Sequence, residues 1–121
     1  ASDYLEYTGT TPDDYDSFIM HQANEFILKQ IIRKLKLNKE SVPVSLDRYG
    51  NTGGVSIPLT LCDAYGIADN QGKRTINVLM CGFGIGLSWG VTSLEIDTNI
   101  VYPIQLTTDY YKEGKFTPEM L

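Results

Sequence analysis

Apolar residues fall in short blocks along this chain, and the spacing within each block predicts its element. After the polar stretch 1–16, Ser17-Phe-Ile-Met20 is a short apolar run, the pattern of a buried strand. From 22 to 37 the period changes. Ala23, Ile27, Ile31 and Leu35 recur every four residues, and Phe26, Leu28 and Ile32 widen the stripe, so a helix is expected. Lys29, Arg33, Lys34 and Lys36 lie mostly off that stripe and crowd its C-terminal half, where the helix dipole favours cations. Val42 to Leu46 reads as extended, limited by Pro43 to an edge or a short strand. Tyr49-Gly-Asn-Thr-Gly-Gly54 is a glycine-dense turn. Thr52 or Asn51 is placed to cap a second helix running to about Tyr65, with Val55, Leu59 and Cys62 on one face. Pro58 falls in its first turns, where the missing N–H costs little.

Residues 66–73 read as a loop and Thr75–Cys81 as a strand. Gly82-Phe-Gly-Ile-Gly86 is expected to be a tight turn, and 87–96 a further strand pairing antiparallel with the one before it. The order β-α-β-α-β-β is an α/β pattern. Asp13 and Asp14 favour a helix start in the N-terminal polar segment 1–16. Residues 97–121 break the pattern with Pro103, Gly114, Pro118 and the tyrosines 102, 110 and 111. They read as an extension that packs on a surface and adds no core element. The expected organisation is therefore 1–16, a domain over 17–96, and 97–121.

Composition narrows the function classes. The 121 residues fit one domain, and 42% hydrophobic with 21% charged residues suffices for a packed core. A net charge of -5 argues against nucleic acid as the main partner. The charge is uneven. Residues 1–16 hold Asp3, Glu6, Asp13, Asp14 and Asp16 with no base, and 29–39 hold Lys29, Arg33, Lys34, Lys36 and Lys39 with no acid. Such a basic strip suits an acidic partner, although a solvated helix face has the same pattern. No membrane partner is expected: the longest nearly apolar stretch, Val78–Val91, is too short for a span and carries four glycines. No signal peptide is visible in the acidic N-terminus. Cys62 and Cys81 sit among apolar neighbours and read as small buried hydrophobes, which points to a reducing, cytoplasmic setting. Ala1 in place of Met suggests a processed or cut start.

The single histidine, His21, ends the first strand, where α/β folds gather ligand and catalytic groups. One His with scattered acids gives no metal-ligand spacing, so no metal is expected. The Gly82–Gly90 run leads into a strand and not a helix, which excludes a dinucleotide or phosphate loop.

Three segments in order carry a more specific signal: His21-Gln-Ala-Asn24, Asp47-Arg-Tyr-Gly-Asn51-Thr52, and Gly82-Phe-Gly-Ile-Gly-Leu-Ser-Trp-Gly90. Over 17–96 they closely resemble the C-terminal half of β-ketoacyl-acyl carrier protein synthase III, a condensing enzyme of the thiolase fold. The resemblance implies an α/β, thiolase-like half with a mixed sheet. It also implies roles: His21 and Asn51 as the catalytic His and Asn, supported in the motif by Gln22 and Asn24. Phe83, Gly84 and Ile85 match the backbone oxyanion loop, and Arg33 and Lys34 the basic positions that dock a carrier protein. The implied reaction is decarboxylative condensation of malonyl-carrier protein with an acyl thioester, using phosphopantetheine or CoA thioesters and no other cofactor. The implied partners are acyl carrier protein or acyl-CoA, a second copy in a homodimer, and an N-terminal half bearing the nucleophilic cysteine.

Neither Cys62 nor Cys81 matches that nucleophile, so the chain alone is expected to be inactive and to expose an apolar face where the other half packs. The sequence departs from the family pattern at Phe26 (commonly Arg), at Gly53-Gly54-Val55 (commonly Ser-Ala-Ala) and at Ile85 (often Gly). These departures keep open a non-decarboxylating acyltransferase of the same superfamily, or a non-catalytic interaction domain that retains the fold.

Overall fold

The computed structural model describes residues 1–66 and 74–107. The loop expected over 66–73 therefore lies, after Gly66, outside the described residues, as do Tyr110, Tyr111, Gly114 and Pro118. The elements are α1 (Ser2–Thr8), β1 (Ser17–Met20), α2 (Glu25–Lys34), α3 (Leu46–Tyr49), α4 (Ser56–Tyr65), β2 (Thr75–Gly84) and β3 (Ser88–Asp97). The three strands form one mixed sheet in the order β1-β2-β3. β1 runs parallel to β2, with Ser17 opposite Val78 and Met20 opposite Cys81. β2 pairs antiparallel with β3 from Thr75–Asp97 to Gly84–Ser88.

β1 is buried along its whole length because both faces of the sheet are covered. Alternation sends Phe18 and Met20, with Leu79 and Cys81 of β2, to one side. There they meet Leu5 of α1 and Leu28, Ile31 and Ile32 of α2. Ile19, Ile76 and Val78 face the other side, against Ile57, Leu61, Cys62 and Tyr65 of α4. The result is an α/β arrangement of helix, sheet and helix layers, as the sequence pattern predicts.

Several expectations need correction. The first helix is shorter than 22–37. Asn24 caps its start, its side chain accepting from the Ile27 amide at 2.9 Å. Past its end, Lys36 adopts a left-handed φ of 53°, which drops Leu37 back into the core. Phe26, counted in the buried stripe, is 69% exposed. Val42–Leu46 is no strand: Pro43 offers no amide, the Ser45 amide is taken by the Gln22 side chain, and Leu46 already begins α3. The second helix begins at Ser56 after a 3-10 turn over Gly53–Val55, and neither Asn51 nor Thr52 caps it by a side chain. Its buried face carries Ser56 and Thr60, whereas Val55 is exposed.

The glycine turn is shifted as well. Gly82 and Gly84 remain in the ladder opposite Gly90 and Ser88, and the chain reverses over Ile85–Leu87, where Gly86 takes a φ of 80°. The N-terminal polar stretch contains α1, unforeseen, and its acidic pair closes a 3-10 turn over Pro12–Asp14. After β3, Val101 returns to the α4-side cluster, so this part of the C-terminal stretch does supply a core residue. Gly66 makes that return possible, since a Cβ there would run into the carbonyl oxygens of Cys62 and Tyr102. Cys81 is buried as expected, but Cys62 is only partly so.

Candidate functional site

His21 is placed by the β1–β2 pairing. The ladder extends one step past Met20, with the His21 amide donating to the Cys81 carbonyl at 2.9 Å. This sets the imidazole beside the C-terminal part of β2, where it meets the Phe83 ring edge-to-face at 5.3 Å between centroids. On its other side His21 Nδ1 lies 2.5 Å from Ser56 Oγ, at the start of α4.

Asn51 lies in the loop between α3 and α4. Its Oδ1 accepts from the Gly53 amide at 3.0 Å. Gly53 has a φ of 65°, a left-handed conformation that suits glycine. With the oxygen engaged, the Asn51 NH₂ remains available to donate to another group. The loop is braced from below. Arg48 of α3 donates to both carboxylate oxygens of Asp63 on α4, at 2.5 and 2.6 Å, and to the Val44 carbonyl at 2.8 Å. The Asp63 carboxylate holds the Arg48 guanidinium firmly charged, above its ordinary range.

His21, Asn51, Gly53, Gly54, Ser56, Ile57 and the 82–85 segment line one open pocket of about 480 Å³. Thus the three sequence-predicted corners converge: His21, Asn51, and Phe83 with Gly84 and Ile85. Phe83 and Gly84 belong to the end of β2, and Ile85 opens the following turn fully exposed. Gln22 does not reach this pocket. It is fully buried, its Nε2 donating to the Met20 carbonyl at 2.8 Å and its Oε1 accepting from the Ser45 amide at 3.1 Å. Asn24, Arg33 and Lys34 are exposed on α2, outside the pocket lining.

Sequence reasoning missed Ser56, the residue in direct contact with the imidazole. The signal available was the polar spacing Ser56–Thr60 on an otherwise apolar helix, which marks a buried polar partner. Cys81 is one strand away, and burial pushes its thiol up, away from the thiolate a nucleophile needs. Among the described residues no group of three or more His, Cys, Asp or Glu side chains could hold a metal, and no helix is long and apolar enough to cross a membrane.

His21 and Asn51 on one pocket each carry side-chain nitrogens, and N–H groups held in this way are the kind that can bind a carbonyl oxygen gaining negative charge. The chain is also similar to known proteins. Residues 5–96 match the family model described as 3-oxoacyl-[acyl-carrier-protein (ACP)] synthase III C terminal. The chain is 41% identical over 97 residues to a β-ketoacyl-[acyl-carrier-protein] synthase III of Streptococcus suis, covering 78% of this chain and 29% of that protein. A crystal structure of a 3-oxoacyl-(acyl-carrier protein) synthase from Burkholderia xenovorans superposes with a TM-score of 0.73 at 40% identity, over 85% of this chain and 29% of that one. A 3-oxoacyl-[acyl-carrier-protein] synthase III from Aquifex aeolicus gives 0.67 at 37% identity, over 78% of this chain and 30% of its own. The chain thus spans under a third of the length of these relatives.

Proposed function

The chain belongs to the 3-oxoacyl-[acyl-carrier-protein] synthase III C-terminal family, and from that premise we propose that it supplies the oxyanion-binding half of a decarboxylating condensing site. His21 and Asn51 donate to the thioester carbonyl of a malonyl group. Loss of carbon dioxide leaves the electron pair delocalised onto that oxygen, and the resulting enolate-like carbon attacks an acyl group held as a thioester on a cysteine. The carbon–carbon bond forms as the acyl–sulfur bond breaks, and the cysteine leaves as thiolate. That cysteine belongs to an N-terminal half, so the present chain alone is inactive. The substrates arrive as carrier-protein or CoA thioesters, with no further cofactor. Arg33 and Lys34 steer the acidic carrier protein, the 82–85 backbone borders the acyl group, and the complete protein works as a homodimer in the cytoplasm.

One observation carries this reading. His21 and Asn51 line the same pocket, and each has one polar atom tied to the protein, to Ser56 and to the Gly53 amide. The remaining side-chain nitrogen of each is left to donate to a ligand in that pocket. Fixed donors need no reorganisation as charge develops, and removing one from a comparable oxyanion site costs about 10²–10³ in rate.

The test is carbon dioxide release from malonyl-carrier protein by the complete, cysteine-bearing protein. Release is expected, falling about 10²–10³-fold in His21→Ala or Asn51→Ala. Acyl transfer to an amine or hydroxyl with no carbon dioxide formed would instead make the protein a non-decarboxylating acyltransferase. Phe26 is the observation that favours that second reading, exposed on α2 where the family commonly carries a cation. Turnover indifferent to both substitutions would leave a domain that retains only the fold.

A further inference from the structure

Resting on that reading, we propose that Ser56 is a positioning residue that decides which nitrogen of His21 carries the proton. Its hydroxyl donates to Nδ1 and so leaves the ring hydrogen on Nε2, the atom that faces the thioester oxygen.

A serine hydroxyl has one hydrogen to give and two lone pairs to receive with. Ser56 is 1% exposed, so leaving its hydroxyl hydrogen without an acceptor would be costly. One lone pair faces the Gln22 amide, which donates to Oγ at 3.4 Å. The Ser56 carbonyl is occupied separately, by the Thr60 hydroxyl at 2.6 Å. Among the described residues, the acceptor left for the Ser56 hydrogen is His21 Nδ1, at 2.5 Å. A neutral imidazole has a single N–H, so a ring that accepts at Nδ1 must donate from Nε2. The opposite tautomer would turn an Nε2 lone pair toward an oxygen that is gaining negative charge, replacing a donor by a repulsion.

The hydroxyl is itself held in place. Gln22 bridges the Met20 carbonyl and the Ser45 amide, and Ser45 Oγ lies 2.8 Å from Thr60 Oγ1. Gln22, Ser45, Ser56 and Thr60 are all at most 1% exposed. A closed set of this kind ties the end of β1, the segment before α3 and the first turns of α4 together. Its open end is the Ser56–His21 contact, and Phe83 confines the ring from the other side.

The chain has one histidine, so ¹⁵N labelling of histidine reports on His21 alone. The two-bond proton–nitrogen correlation spectrum is read at about pH 8.5, above the ordinary imidazole range. The wild-type chain should show a pyrrole-type Nε2 and a pyridine-type Nδ1 displaced by its hydrogen bond. In Ser56→Ala the Nδ1 signal should move toward a free pyridine-type nitrogen, with a share of the other tautomer averaged in. Ser56→Thr, which keeps the hydroxyl, should restore the wild-type pattern. A pyrrole-type Nδ1 in the wild type, or nitrogen shifts unchanged by Ser56→Ala, would overturn the proposal. The spectrum is indifferent to whether carbon dioxide is ever released, so it separates failure here from failure of the functional reading. In the complete protein, Ser56→Ala should lower kcat about tenfold, the loss of roughly one buried hydrogen bond, with KM little changed.

Discussion

A single backbone amide ties the Asn51 side chain to its own loop. Gly53 offers that amide from a left-handed conformation, and the site has space for a side chain there. The effect of Gly53→Ala is therefore conformational, not steric: about 1–2 kcal/mol of strain, read as a lower urea midpoint. Decarboxylation by the complete protein should fall with it if relief of that strain shifts the loop that carries Asn51. Cys81 gives a second test at this scale. Burial raises its thiol pKa, so a maleimide should leave Cys81 unmodified in the folded chain at pH about 8 and modify it once urea unfolds the protein. The sign in stability follows. A raised thiol pKa in the folded state favours folding below the ordinary thiol range, and that contribution is lost as pH rises through the folded value. Rapid labelling of Cys81 in the folded protein would contradict its assignment as a core residue.

At the scale of elements, the legible parts were those whose apolar periodicity directly reflects burial. β1 reads as an apolar run because helices cover both faces, and α2 shows its stripe because Leu28, Ile31 and Ile32 face the sheet. Where burial is polar, periodicity misleads. Ser56 and Thr60 occupy the inner face of α4 through hydrogen bonds, so counting apolar positions assigned that face to Val55 and Leu59. The short stretch 42–46 failed for the same reason: its amide pairs with a side chain 23 residues away, which no local pattern encodes. His21, Asn51 and the 82–85 corner were legible through their motifs, but Ser56 was not. Gln22→Leu tests the buried set. It strands the Ser45 amide in the core and should cost about 1–3 kcal/mol in urea unfolding. A stability unchanged within about 0.5 kcal/mol would show that the set contributes nothing to the fold.

The whole molecule presents a site open on one side. Ile85 at 101%, Trp89 at 66%, Val55 at 57% and Leu94 at 49% exposure are large apolar residues left uncovered. Ile85 borders the His21 pocket, and Trp89 borders a shallower one beside it. On the proposed reading the half that brings the cysteine covers the side of the pocket at Ile85 and Trp89. The chain by itself should then bind an environment-sensitive hydrophobic dye or self-associate, and a monodisperse monomer that binds no dye would count against a missing partner. On the proposed reading His21 and Asn51 stabilise the charge released by decarboxylation, a step that forms no bond to the nucleophilic cysteine. Its most direct measurement is carbon dioxide release from malonyl-carrier protein by the complete protein after its nucleophilic cysteine has been alkylated. Release should persist in the alkylated protein and drop about 10²–10³-fold when His21 or Asn51 is replaced by Ala. Release that is unaffected by either replacement would contradict the account.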